Sequence, residues 1–187
     1  MIKTKIMFFC LYLFNILFAT GVINLSENNN VNFQTDNPEK VIIDLQIGKI
    51  EYSIISKENE NFIKLQVLNS YNSNEIGAPE LPQINNLIEI PYGSQPYIEV
   101  ITDEFIEFDL NQIAPNLKLF PAQPSVRKTE DIVNMDFFFD KAMYNDDKYI
   151  KYDLASVVEK GKMRELNIGN LMISPIEYNP IKNKIII

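Results

Sequence analysis

The chain has 187 residues, enough for one ordinary domain and few for two. Hydrophobic residues make up 46% and charged residues 22%, near the globular average, which excludes wholesale disorder. Histidine is absent and there is one cysteine, so no Cys-His pair, Ser-His-Asp triad or histidine-ligated zinc site can be built. The net charge of −8 argues against nucleic acid as a partner.

The chain opens with Lys3 and Lys5, followed by residues 6–18, which are apolar apart from Asn15, and then by Ala19, Thr20 and Gly21. A basic start, an apolar run and a small-residue site form a secretory signal peptide, predicted at 1–21 with cleavage after Gly21. The run is shorter than the roughly 20 apolar residues of a comfortable span, so no stable membrane span is expected after cleavage. The expected location is secreted, either extracellular or periplasmic. Cys10 lies inside the apolar run, so the mature chain has no cysteine, and its stability must come from a packed core.

Residues 22–39 are polar and asparagine-rich without sustained periodicity, and read as a flexible leader before a domain at 40–187. From there the pattern is that of a β protein. Residues 41–45 form a first strand; residues 50–54 and 63–67 alternate apolar with polar, the period of a half-buried strand. The polar stretch 57–61 between them predicts a hairpin. Residues 87–90, 97–102, 106–110, 165–168, 171–177 and 184–187 read as further strands, with one short helical turn near 149–158. About eight to ten short strands separated by ten prolines predict an all-β domain, an antiparallel sandwich or jelly-roll-like fold, behind a signal-peptide helix.

Carboxylates are the plentiful acid–base groups. Asp103/Glu104, Glu130/Asp131 and Asp146/Asp147 are adjacent pairs, but neighbours on a strand point to opposite faces and do not thereby share a site. Asp140 with Asp146 and Asp147 offers oxygens to calcium, yet no twelve-residue loop with its glycine and terminal glutamate is present. The six glycines are scattered singly, without a phosphate loop. The sequence thus predicts no catalytic residue, no cofactor and no metal. Phe137, Phe138 and Phe139 put aromatics on both faces of an extended segment, which implies burial on both sides or a partner surface.

Two proline clusters remain, Gly77-Ala78-Pro79-Glu80-Leu81-Pro82 and Pro121-Ala122-Gln123-Pro124. Proline fixes φ and donates no backbone hydrogen bond, so both segments should be extended and lie outside the central ladders. The first cluster leads to a strand that ends in Ile90-Pro91-Tyr92-Gly93. Near the end come Gly161-Lys162-Met163-Arg164 and then Pro175-Ile176-Glu177-Tyr178-Asn179-Pro180. This ordered set resembles the N-terminal propeptides of gingipains, caspase-like cysteine peptidases. They carry G-x-P-x-L-P, a strand, a P-x-G turn, a proline-rich middle, then G-x-x-R, a strand and P-x-x-Y-N-P. The residues that carry the resemblance are Gly77, Pro79, Leu81, Pro82, Pro91, Gly93, Pro175, Tyr178, Asn179 and Pro180.

The resemblance implies an exported β-sandwich that assists folding of a gingipain-like cysteine peptidase catalytic domain and keeps it latent by covering its cleft. It also implies that a basic side chain enters the specificity pocket. Arg127 and Arg164 are the only arginines, and Arg164 lies in a matched segment. The chain ends at Ile187, where such propeptides hand over to their peptidase, so the expectation is a truncated reading frame or a domain acting on a peptidase encoded elsewhere. A carbohydrate- or surface-binding β-sandwich is the alternative reading.

Overall fold

The computed structural model describes residues 20–26, 28–37, 40–101, 104–126 and 136–187. The signal peptide expected at 1–21 lies outside the described residues except for Thr20 and Gly21. Among the described residues, no helix is long and apolar enough to cross a membrane.

The alternation at 50–54 and 63–67 becomes the hairpin of β4 (Lys49–Lys57) and β5 (Glu60–Gln66), with Lys57 opposite Glu60. Its turn residues, Glu58 and Asn59, sit at φ 49° and 65°, as a two-residue turn matching strand twist requires. β1 (Thr20–Asn24) flanks β4, and β9 (Lys118–Leu119) runs parallel to β5, giving a four-stranded sheet in the order β1-β4-β5-β9. A second sheet has the order β10-β11-β7-β6, formed by β6 (Ser70–Asn72), β7 (Pro82–Glu89), β10 (Ala155–Met163) and β11 (Leu166–Ile173). A third holds β12 (Glu177–Asn179), β13 (Lys184–Ile186) and β8 (Glu107–Asp109) in the order β12-β13-β8. The fourth is the hairpin of β2 (Asn30–Asn37) and β3 (Lys40–Gln46).

The main core gathers the inward residues of these strands. Ile23 of β1, Ile50 of β4, Ile63 and Leu65 of β5, Leu119 of β9, Tyr178 of β12 and Ile185 of β13 are all buried together, joined by Leu81 and Leu110. A smaller core of Ile84, Leu171 and Ile173 packs against Ile43 and Leu45 of β3. Each buried aliphatic side chain stabilises the fold by about 1.5–3 kcal/mol relative to exposure. With no cysteine among the described residues, this packing holds the domain together.

The all-β, antiparallel architecture read from the period of two is the one observed, with β5–β9 the single parallel pair among the described residues. Four local expectations change. The 22–39 leader instead contributes to β1 and β2, because Ile23 finds the main core and β2 finds a full partner in β3. Residues 165–168 and 171–177 are not two strands; β11 runs unbroken from Leu166, since Gly169 and Asn170 keep their partners Ile88 and Leu87 on β7. The helical turn lies at Lys141–Tyr144 (α1), where Asp140 accepts from the N–H groups of Ala142 (2.9 Å) and Met143 (3.2 Å) and so caps it. Finally, residues 97–101 alternate like a strand but pair with nothing among the described residues. Alternation specifies faces and is silent about whether a neighbour is present.

Candidate functional site

The two proline clusters, far apart in sequence, lie side by side. Gly77 N–H donates to the Ala122 carbonyl (2.8 Å), Ala122 N–H to that of Ala78 (2.8 Å), and Glu80 N–H to that of Phe120 (2.9 Å). Pro79 and Pro121 face each other across this short antiparallel bridge. Prolines donate nothing, so the clasp uses the residues that flank Pro79 and Pro121. The Gly77 carbonyl then accepts from Asp140 N–H at 3.0 Å, so one residue holds both 120–122 and the start of α1. Gly77 sits at φ +84°, the left-handed region that favours glycine. Leu81 is fully buried, and Ser73 satisfies its backbone: Leu81 N–H donates to Ser73 Oγ (2.9 Å), and Ser73 N–H to the Leu81 carbonyl (2.8 Å).

Beyond the clasp the chain leaves as Pro124-Ser125-Val126 and returns at Asp136. Gln123 joins the two sides. Its Nε2 donates to the Phe138 carbonyl (2.8 Å) and its Oε1 accepts from Phe138 N–H (3.0 Å), while Nε2 also reaches the Pro121 carbonyl at 3.0 Å. On the returning side Phe137 and Phe139 turn inward and Phe138 outward. Phe137 packs against Phe62 (ring centroids 5.7 Å) and Phe120 (5.9 Å), and Phe139 stacks on Tyr144 at 4.3 Å. The aromatic run is thus anchored on one side and leaves Phe138 for the backbone pair. Each such ring contact adds about 0.5–1.5 kcal/mol to its burial. Arg127, one of the two basic residues nominated from the sequence, lies outside the described residues, between Val126 and Asp136 in the chain. An open groove lined by Lys64, Tyr71, Glu80, Gln123 and Ser125 lies beside the clasp.

Arg164 is at the tip of the β10–β11 hairpin, between the paired residues Met163 and Leu166, and is exposed. Its φ of +60° is a glycine-favoring value at the first residue of a two-residue turn. Lys160, at a bulge between Glu159 and Gly161, and Lys162 add two more basic residues to this hairpin. Lys162 Nζ lies 4.9 Å from the centre of the Tyr92 ring, over its face. Arg164 and the Gln123–Phe138 pair therefore belong to separate elements.

The remaining resemblance residues carry the fold rather than chemistry. Tyr178 is buried; its hydroxyl donates to Asn183 Oδ1 (2.9 Å) and accepts from Leu119 N–H (3.4 Å). Burial pushes this phenol, and that of Tyr144, well above the ordinary tyrosine range, so both remain protonated donors. Tyr144 donates to the Leu119 carbonyl at 2.7 Å. Asn179 Oδ1 accepts from Ile181 N–H (3.0 Å) and Lys182 N–H (2.9 Å), forming the turn that starts at buried Pro180. Pro175 stands half-buried between β11 and β12, and Pro82 is buried at the start of β7. Pro91 and Gly93 form an exposed turn, closed by Ser94 N–H on the Pro91 carbonyl at 3.1 Å.

The carboxylates named from the sequence are dispersed. Asp140 caps α1, Asp146 pairs with Lys148 (3.1 Å), and Asp147 accepts from Asn179 Nδ2 (2.9 Å). Among the described residues, no group of three or more metal-ligating side chains converges. Glu104 is exposed, and Asp103, Glu130 and Asp131 lie outside the described residues. The residues that sequence reasoning passed over are Gln123 and Phe62. Gln123 was quoted as part of a proline cluster, but nothing in the sequence marks its partner fifteen positions on.

Residues 23–187 match the model of the family described as Propeptide_C25. Among curated relatives, Lys-gingipain of Porphyromonas gingivalis is 28% identical over 138 residues, which cover 74% of this chain and 8% of that protein. Gingipain R1 of the same organism is 22% identical over 110 residues, covering 59% of this chain and 10% of the relative. The chain thus spans a small fraction of the relatives it matches. A solved structure of gingipain K from P. gingivalis, described for its zymogenic latency, superposes with a TM-score of 0.85 at 24% identity, covering 90% of this chain and 93% of that one. A complex of the pro- and mature domains of P. gingivalis RgpB gives a TM-score of 0.71 at 16% identity, over 86% of this chain and 80% of that one. The fold is that of these pro-domains, and the chain belongs to the Propeptide_C25 family.

Proposed function

We propose that this chain is a secreted, non-catalytic pro-domain that assists the folding of a gingipain-type cysteine peptidase and keeps it latent by presenting a basic side chain to its specificity pocket. The carrying observation is that Gln123 pairs with Phe138 and Phe137 packs on Phe62, which brings together the two described ends, Val126 and Asp136, that flank Arg127 in sequence. An inhibitor that offers a pseudo-substrate gains affinity when its loop is held in place before binding, because less ordering remains for the binding step. Between these two ends the sequence carries Arg127 followed directly by Lys128, a basic residue for either a lysine- or an arginine-directed pocket. Arg164, on its hairpin tip, is the second candidate.

The non-catalytic half of the proposal is supported by composition. Histidine is absent, and Cys10 falls within the segment read as a signal peptide, so neither a cysteine nucleophile nor a histidine base remains in the mature chain. The similarity to the pro-domains of gingipain K and RgpB supports the assignment of the partner. The test is inhibition of mature Lys-gingipain and gingipain R1 by the purified domain, compared with variants Arg127→Ala, Lys128→Ala and Arg164→Ala. Either Arg127→Ala or Lys128→Ala should lose inhibition by tens-fold or more, while Arg164→Ala should lose little. Absence of any complex at micromolar concentration would overturn the proposal in favour of a surface-binding module.

A further inference from the structure

We infer that signal peptidase must act on this chain before the domain folds, because the fold takes up the Gly21–Val22 bond and covers the residue that the enzyme reads. This rests on the secreted part of the proposed function, with a signal peptide at 1–21. It adds an order of events that restraint of a peptidase does not by itself require.

The bond to be cut lies inside β1, which pairs along its whole length with β4. Gly21 stands opposite Tyr52, Val22 opposite Glu51 and Ile23 opposite Ile50. Signal peptidase recognises a small residue at the cleavage position and another two positions before it, here Gly21 and Ala19. In an extended segment residues two apart point the same way, so the enzyme needs that one face of its substrate free.

The fold turns this face inward. Ile23 shares it and is 2% exposed, against an Ile50 that is fully buried. Gly21 shares it too, in a row with Tyr52 of β4 and Leu65 of β5. Leu65 is fully buried, and Tyr52 packs against the main core. The Tyr52 ring lies across Gly21: a Cβ added there would stand 2.5 Å from ring atom Cζ and 2.6 Å from Cε1, so ring or strand would have to move. An aromatic side chain laid over a cross-strand glycine covers backbone that would otherwise be bare, and β1 is an edge strand where such cover counts. Gly21 thus meets two demands through one property. Signal peptidase requires a small side chain at the bond, and Tyr52 requires none in its way.

Both demands cannot be met at the same time. While β1 is paired, the ring fills the space in which the enzyme's pocket would meet Gly21. Hydrolysis of the unfolded chain adds one water across the bond, leaving a carboxylate on Gly21 and an ammonium on Val22. The mature strand then keeps Val22, Ile23 and Asn24 on β4, with Ile23 in the core. A chain that folds first retains its apolar run at 6–18.

The test uses the full precursor, Met1 to Ile187, folded in mild detergent and incubated with signal peptidase. The unaltered precursor should be cut after Gly21 at least tenfold more slowly than one carrying Ile63→Asp and Leu65→Asp, whose buried charges unfold the domain and leave the signal intact. Gly21→Ala keeps a residue the enzyme accepts but displaces the Tyr52 ring, so this folded precursor should be cut at least tenfold faster than the unaltered one. Both release the same mature chain from Val22, so the fold of the product is not in question. Equal cleavage of the unaltered and doubly charged precursors overturns the inference and leaves the proposed function standing. So does a Gly21→Ala precursor as resistant as the unaltered one, or cleavage of the folded precursor before Thr20. Failure to cut the doubly charged precursor contradicts the signal peptide itself, and the inference falls with that reading.

Discussion

The side chain of Gln123 and the backbone of Phe138 form a two-way pair, Nε2 to carbonyl at 2.8 Å and N–H to Oε1 at 3.0 Å, that joins two segments fifteen residues apart. An amide side chain is suited to this because it donates and accepts in one plane, as a backbone strand would. Gln123→Ala removes both bonds from a half-buried position. The expected loss is about 1–2 kcal/mol of unfolding free energy, measured by denaturant titration, together with a larger fractional loss of peptidase inhibition. Unchanged inhibition in a folded variant would show that this pair contributes nothing to binding.

Gly77→Ala should destabilise by about 1–2 kcal/mol, because an L side chain at φ +84° is strained. The added Cβ would also meet Asp140 N at 3.2 Å, tighter than ordinary contact. Since Gly77 bonds to both 122 and 140, the variant should loosen the clasp as well, detectable as faster amide exchange at Ala122 and Asp140.

Phe62 is the hub of the aromatic cluster, contacting Phe120, Phe137 and Phe139. Phe62→Ala should cost about 3–5 kcal/mol, read as a lowered unfolding midpoint. Phe138→Ala, whose ring points outward, should cost much less, and equal costs would contradict the inward–outward assignment.

Glu107 and Lys184 form a close exposed pair at 2.6 Å, with Tyr149 donating to the same carboxylate at 3.2 Å. The hydrogen bond from Lys184 lowers the Glu107 carboxyl below its ordinary 4.5, and the same bond raises Lys184 above its ordinary 10.5. A depressed carboxyl stabilises above its unfolded value and loses that contribution as pH falls through the folded one. A raised lysine stabilises below its unfolded value and loses its contribution as pH rises through the folded one. The pair therefore contributes across the interval between those ordinary values. In Lys184→Met, Glu107 should titrate higher by NMR; an unmoved Glu107 would rule out Lys184 as the cause.

Intact-mass analysis of exported protein should find a chain beginning at Val22. Thr20 and Gly21, which pair with Ser53 and Tyr52, would then be lost from β1, while Ile23 keeps its place in the core opposite Ile50. Export with Met1 retained would contradict the signal-peptide reading.

Much of the fold could be read from residues alone, because local rules were at work where the reading succeeded. Ile50, Ile63 and Leu65 alternate at the strand period, and the polar 57–61 stretch marks the β4–β5 turn. The failures came where a distant partner decided the outcome. Ile23 is buried because β4 lies beside it, whereas residues 97–101, equally apolar, pair with no strand among the described residues. The candidate site was legible only as fragments: Gly77 to Pro82 and Pro121 to Pro124 were recognised separately, and nothing local showed that they clasp each other. Gln123 had no signal, since its partner is a backbone group fifteen residues away.

The central claim is that this domain restrains a basic-directed cysteine peptidase through Arg127 or Lys128. The most direct measurement is the inhibition constant of the purified mature domain against mature Lys-gingipain and gingipain R1, determined in parallel for the unaltered chain, Arg127→Ala and Lys128→Ala. The account predicts saturable inhibition of at least one enzyme, reduced tens-fold or more by one of the two substitutions, with all three proteins unfolding at the same temperature. Inhibition that neither substitution weakens would contradict that assignment, and no inhibition of either enzyme at micromolar domain would contradict the account as a whole.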